Sequence, residues 1–328
     1  TLRHRLGLQE NVLAQAGDAL GRVSTLAVQA NGGALSDADR RAIAIEVASL
    51  RDTLLDLANT PDGTGRYLFG GTRDGGIPFT DAGGVVAYNG DQTRRSVEVA
   101  PLMPVDDTLP GSEVFMRVRT GDGRIDARVD AGNSGTGTSA GFTLADSAQW
   151  NGGAYRIDFA ANGAYSVTDA NGDPVATGTH APGDTLAFAG LTLSIEGNPA
   201  DGDGFTIGPA KTRDVFATLD ALLGALTMEP TTGTQQAAQQ NALQGALRDI
   251  ATAQGHLIDA RADGGARLAA LDQADDLRMA QGVTIEGTLS GMRDLDYAEA
   301  ISRFELEMVA LEAAQQSLDV HNAASGWN

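Results

Sequence analysis

The sequence contains no cysteine. That excludes disulfide scaffolds, thiolate metal sites and cysteine nucleophiles. Lysine is nearly absent: Lys211 is the only one among 23 basic residues, which face 43 acidic ones for a formal charge of −20. This balance excludes nucleic acid and anionic membrane as partners. No apolar run approaches the ~20 residues of a membrane span. No secretory signal opens the chain. His4, His180, His256 and His321 have no metal-ligand spacing and read as surface residues. No Gly-x-Ser-x-Gly elbow is present. The glycine-rich stretch 132–141 is not followed by the Lys-Ser/Thr of a phosphate loop. Asp201-Gly202-Asp203-Gly204 lacks the Glu and spacing of a calcium loop and reads as turn chemistry. The pairs Asp106-Asp107 and Asp275-Asp276 read as solvated charges. Nothing here supports catalysis, a cofactor or a metal.

What is present is a divided chain of 328 residues, 42% of them apolar, enough for a sizeable core. Residues 61–210 hold 27 of the 42 glycines and 9 of the 10 prolines. Both residues break helices, so the flanks can be helical and the middle cannot. At the N-terminus, Leu2, Leu6, Gln9, Leu13, Ala16, Leu20, Val23, Ala27 and Ala30 are spaced alternately by four and three. This predicts a helix with one apolar seam, interrupted only by Gln9. Asn31-Gly32-Gly33 should end it, and Ser36 should cap the next helix, which carries Ile43, Val47, Leu50, Leu54 and Leu57. A short segment presents Val215, Leu219, Leu222 and Leu226. Beyond Pro230, the seam runs through Leu243, Leu247, Ile250, Gln254 and Leu257, and then Leu268 and Leu271. The last seam is Tyr297, Ile301, Phe304, Met308, Leu311, Gln315 and Leu318. The simplest expectation pairs the seams of the two chain ends with each other inside one molecule. The alternative is an interface with other subunits, since heptads do not say whose helix fills the groove.

The fold class read from this pattern is α+β. A discontinuous rod, 1–131 and 208–320, holds long antiparallel heptad helices and β-hairpin elements at 66–120. A small β-sandwich head is inserted at 132–207, and 321–328 read as a tag or cloning scar. Asn89-Gly90 after Val85–Tyr88 predicts a tight hairpin into a strand at 95–99. Residues 132–141 read as a flexible linker by composition. Head strands are expected at 154–159, 164–168, 184–189, 191–195 and 205–207. Trp150, Tyr155 and Tyr165 are either sandwich packing or, in a rival reading, the stacking aromatics of a glycan site on a coiled-coil stalk.

Several strings resemble the flagellin superfamily, and within it most closely the hook-associated protein 3 family of hook–filament junction proteins. The carrying motifs are Tyr67, Leu68, Phe69, Gly70 and Gly71; Tyr88, Asn89, Gly90 and Asp91; Arg267 and Leu268; and Asp296 and Tyr297. Tyr165–Asp169 and Gly197–Phe205 resemble the β domain of hook-associated proteins. The resemblance implies a non-catalytic adaptor outside the bacterial cell, exported by the flagellar type III apparatus. Its implied partners are hook-associated protein 1, flagellin and copies of itself in a ring, with an export chaperone for the full-length protein. Flagellin and hook-associated protein 1 are the alternatives within the superfamily. Relatives carry further amphipathic segments at both ends. The sequence is therefore expected to be a trimmed form, monomeric in solution.

Overall fold

The structure, a computed structural model, describes residues 2–32 and 35–325. The Gly33 position of the expected helix stop, and residues 326–328 of the expected scar, lie outside the described residues. The chain divides into two compact units: residues 1–97 with 104–269, and residues 98–103 with 270–328.

In the first unit, α1 (Leu2–Asn31) and α2 (Asp37–Ala58) follow the heptad pattern. Ser36 caps α2 as expected: its hydroxyl accepts from the Asp39 N–H, while the Asp39 carboxylate accepts from the Ser36 N–H. The Ser36 hydroxyl, followed by the Ser36 N–H, holds the Asp39 carboxyl below the usual range. Leu13, Leu20, Val23, Ile43, Val47 and Leu54 are buried, and Leu50 packs partly buried beside them. Their core includes α3 (Val215–Leu226) and Leu243, Ile250 and Leu257 of α4 (Gly233–Ser325). Arg261 pairs with Glu10 at 2.8 Å, and a Cβ on Gly21 would lie 3.6 Å from Gln254, so α1 and this part of α4 run antiparallel. The N-terminal seam is thus filled by α4 residues near 243–257, which meets the expected pairing of seams from the two chain ends.

Between α2 and α3 the chain is strand and turn. β1 (Phe79–Ala82) pairs with β2 (Val85–Tyr88) across Gly83 and Gly84, both at positive φ. The hairpin therefore precedes Asn89-Gly90 and does not turn there. The Asn89 N–H instead donates to the Pro78 carbonyl and the Asp91 N–H to Gly70. β3 (Ser96–Ala100) and β4 (Met103–Asp106) form a two-stranded sheet. A π-helical turn at Ser112–Met116 leads to β5 (Val118–Arg119), which pairs later with β14 (Thr212–Arg213). Phe115 lies among Phe69, Phe79 and Phe216, with centroids at 5.3, 5.6 and 6.3 Å.

The β domain begins earlier than expected. β6 (Ile125–Val129), β7 (Thr138–Leu144), β8 (Tyr155–Phe159), β9 (Ala164–Asp169), β10 (Pro174–Thr179), β11 (Thr185–Phe188), β12 (Leu191–Glu196) and β13 (Gly204–Pro209) build it. One sheet has the order β10-β9-β8-β13-β6, the other β11-β12-β7. Both contribute to one core that contains Ile125, Ile157, Val167, Leu193, Ile195 and Phe205. A boundary at 132 would leave out β6. Residues 132–141 are not a free linker. The Asp203 carboxylate accepts from the N–H groups of Ser134 (2.7 Å), Gly135 (3.1 Å) and Ala200 (2.8 Å), and residues 138–144 are β7. Composition alone does not reveal such long-range pinning.

Three smaller expectations change as well. His180 is buried at 7% exposure against Phe159, and Asp107 is buried and paired with Arg95 at 2.6 Å. Tyr155 is a core residue, and Trp150 and Tyr165 pack against that core, with the Trp150 N–H donating to the Gly153 carbonyl. The three aromatics are packing residues and do not form a stacking platform.

The second unit consists of residues 98–103 and the continuation of α4 from Ala270. Leu102, at the β3–β4 turn, is 96% exposed with φ +61°. A left-handed conformation is rare for a non-glycine residue and costs on the order of 1–3 kcal/mol.

Candidate subunit interface

Two groups of residues stand out, and their physics differs. The first group is the motif Tyr67–Gly71 with Tyr88–Asp91, which the structure brings together in the first unit. Arg5 of α1 reaches Asp62 at 3.2 Å, Asp74 at 3.3 Å and the Tyr67 carbonyl at 3.0 Å. Gln9, the polar break in the seam, donates to the Leu68 carbonyl at 3.1 Å and is 3% exposed. Leu68 and Phe69 are fully buried. Gly71 has φ +67°, and a Cβ there would meet the Asp91 carbonyl oxygen at 2.5 Å, so no side chain fits. A Cβ on Gly90 would meet the Gly70 carbonyl oxygen at 2.7 Å. The Thr72 hydroxyl and N–H both bond the Asp91 carboxylate and hold it below the usual range.

The Tyr88 hydroxyl lies between the carbonyls of Phe69 (2.9 Å) and Asp91 (2.8 Å), shares its one proton between them and so ties the two strings. Burial pushes its pKa up to about 12. A phenol held protonated in the folded state contributes stability below its unfolded pKa of about 10 and loses it as pH rises toward 12. The wild type should therefore lose stability between about pH 10 and 12. Tyr88→Phe should be less stable at pH 7 by about 1–3 kcal/mol and show a shallower alkaline decline. Urea melts at pH 7, 10 and 11.5 check this; parallel declines in both proteins would contradict it.

Arg267 is also structural: it is 8% exposed, donates to the Thr108 carbonyl at 3.4 Å and pairs with Asp263. Leu268 beside it is half-buried. These motif residues hold the molecule together. Among the described residues no group of three metal-ligating side chains occurs.

The second group is α4 within the second unit. Tyr297, Ile301, Phe304, Met308, Leu311 and Leu318 are 53–70% exposed, and Asp296 is exposed beside them. The seam that period alone assigns to an intramolecular partner is therefore exposed along its length. Met279, Val283, Leu289 and Met292 are also 49–70% exposed. A long helix that shows large apolar side chains to water is built to be covered, since burying each would contribute ~1.5–3 kcal/mol. Leu102 adds a further exposed apolar side chain in this unit.

A model of the bacterial flagellin N-terminal helical region matches residues 3–74, and one of the flagellar hook-associated protein 1 D2-like domain matches residues 129–209. The crystal structure of Xanthomonas campestris FlgL is 52% identical, with a TM-score of 0.83 over 88% of this chain and 94% of that one. A flagellar hook-associated protein 3 structure from Legionella pneumophila is 30% identical, with a TM-score of 0.83 over 90% of this chain and 93% of that one. The chain belongs to the hook-associated protein 3 family. Hook-associated protein 3 of Escherichia coli K12 is 35% identical over 111 residues, an alignment that spans 34% of its length. The flagellin-type match overlies the α1 seam and the Tyr67–Gly71 string, and the hook-associated D2-like match overlies the β domain from Val129, the last residue of β6, to the end of β13.

Proposed function

We propose that this chain is the structural adaptor between the flagellar hook and the flagellin filament, outside the cell and without catalysis. The single observation that carries the reading is the near full-length likeness to FlgL structures from Xanthomonas and Legionella, the latter also described as a flagellar junction protein. The exposed seam of α4 supports it, because an adaptor must leave apolar surface for neighbours. On this reading hook-associated protein 1 lies on one side, flagellin on the other, and copies of the chain form a ring. The isolated chain is a monomer, held apart from its copies by a charge of −20. An export chaperone accompanies the full-length protein in the cytoplasm. The test is complementation: cells lacking the gene should shed flagellin monomers and carry bare hooks, and the complete gene should restore filaments. Filaments in the deletion strain would sink the proposal.

A further inference from the structure

The β domain has two free sheet edges next to α4, and only one is served. On β7, Asn241 of α4 acts as a substitute strand: its Nδ2 donates to the Gly137 carbonyl at 3.0 Å, and its Oδ1 accepts from the Ser139 N–H at 2.9 Å. β6 is the outer strand of the other sheet. Its hydrogen bonds to β13 run through the even-numbered residues, with the Asp130 N–H on the Gly204 carbonyl and the Ala210 N–H on the Arg124 carbonyl. The antiparallel alternation then turns the N–H and C=O groups of Ala127 and Val129 outward. No protein group among the described residues bonds them, although Ala127 is only 2% exposed. Buried backbone groups are normally paired, so this edge is unsatisfied by the described chain itself.

Both residues line a cleft of about 360 Å³ whose other wall is α4, with Ala238, Ala242 and Gly245. That volume falls in the range of ligand sites. Arg248 lines the same cleft. Its guanidinium lies 5.1 Å from the Phe142 ring centroid and has no hydrogen bond or ion pair among the described residues. The nearby carboxylates Asp126 and Asp249 are engaged by Arg128 and Arg213. Burial, then the Arg128 charge, lower the Arg248 pKa. Arg248 is partly buried, and Asp126 and Asp249 act on it only as more distant opposite charges, so its donors remain free for a carboxylate.

We propose that this cleft accepts an extended polypeptide segment that pairs with the free edge of β6 and places an Asp or Glu carboxylate on Arg248. Of simple ligands, only a peptide offers N–H and C=O groups at strand spacing together with a carboxylate. The small residues of α4 leave room for a backbone between helix and strand. The site is independent of the junction reading, since it rests on the β domain and α4 alone.

The probe is a pool of acetylated, amidated pentapeptides with a central Glu flanked by Val, Thr or Ser. Amide exchange of the intact chain is followed by NMR. In the free chain, Ala127 and Val129 should exchange at least about tenfold faster than Arg128, whose N–H is in the ladder. The pool should slow Ala127 and Val129 by about tenfold, and Arg248→Gln or a pool with Gln in place of Glu should remove most of that effect. Arg248→Gln orphans no carboxylate, so folding should persist. Slow exchange in the free chain, no slowing at millimolar peptide, or undiminished slowing in Arg248→Gln would each overturn the proposal. Displacement of the pool by equimolar propionate would assign the cleft to a small carboxylate and overturn it equally.

Discussion

Replacing Phe304 and Met308 together by Glu should leave the melting temperature of the isolated chain within about 1–2 °C and abolish filament attachment in cells. The two halves of this outcome have separate causes. Phe304 is 64% exposed and Met308 53%, so the folded chain loses almost no burial when they change. In an assembled interface each side chain would contribute ~1.5–3 kcal/mol, and a buried Glu without a partner would add a penalty of several kcal/mol. The sum corresponds to a loss of affinity of roughly a thousandfold or more. Thermal melts of the purified chain and filament counts by electron microscopy check the two halves. A fall in melting temperature of many degrees would mean that the seam is covered within the chain. Normal filaments would mean that this face is idle.

Asp249→Ala should destabilise the first unit by about 3 kcal/mol. Its side chain is 1% exposed and accepts four bonds: two from Arg128 at 2.7 Å, one from Arg213 at 3.2 Å and one from the Gly121 N–H at 2.8 Å. Arg128 belongs to β6, Arg213 to β14 and Asp249 to α4, so one carboxylate joins the β domain, the returning strand and the helix. Removing it leaves two guanidinium groups and an N–H without this partner, and Arg248 nearby adds like charge. Both arginines keep about a third of their side chains exposed, which is why the lower end of the range for a broken buried pair applies. Urea unfolding at neutral pH measures this. A shift below about 0.5 kcal/mol would mean that water replaces the carboxylate without cost.

The helices were legible because their seams repeat every seven residues and their stops are local: Ser36 with Asp39 is visible within four residues. The strands at 155–159, 164–169, 185–188 and 191–196 were legible for the same reason, short apolar runs between Asn-Gly and Gly-Asp turns. What failed was non-local. Asn89-Gly90 has hairpin composition, but β2 was already paired with β1, and the Tyr88 hydroxyl and Gly70 carbonyl claim the Asp91 backbone instead. Residues 132–141 look flexible until Asp203, more than 60 positions later, bonds their N–H groups. The seam at 297–318 was visible as a pattern, but heptad spacing names no partner. Arg248 could not be singled out at all: that the neighbouring carboxylates pair with Arg128 and Arg213 instead is visible only once the strands and α4 are placed.

The proposed place of the protein in the organelle is between hook and filament. Immunogold labelling of the full-length protein, carrying an epitope in the exposed turn at Asn171-Gly172, on isolated hook–filament particles measures that place directly. Gold should be confined to a single band where hook meets filament, and to the tips of hooks from cells lacking flagellin. Label spread along the filament, or absent from the hook tip, would contradict it.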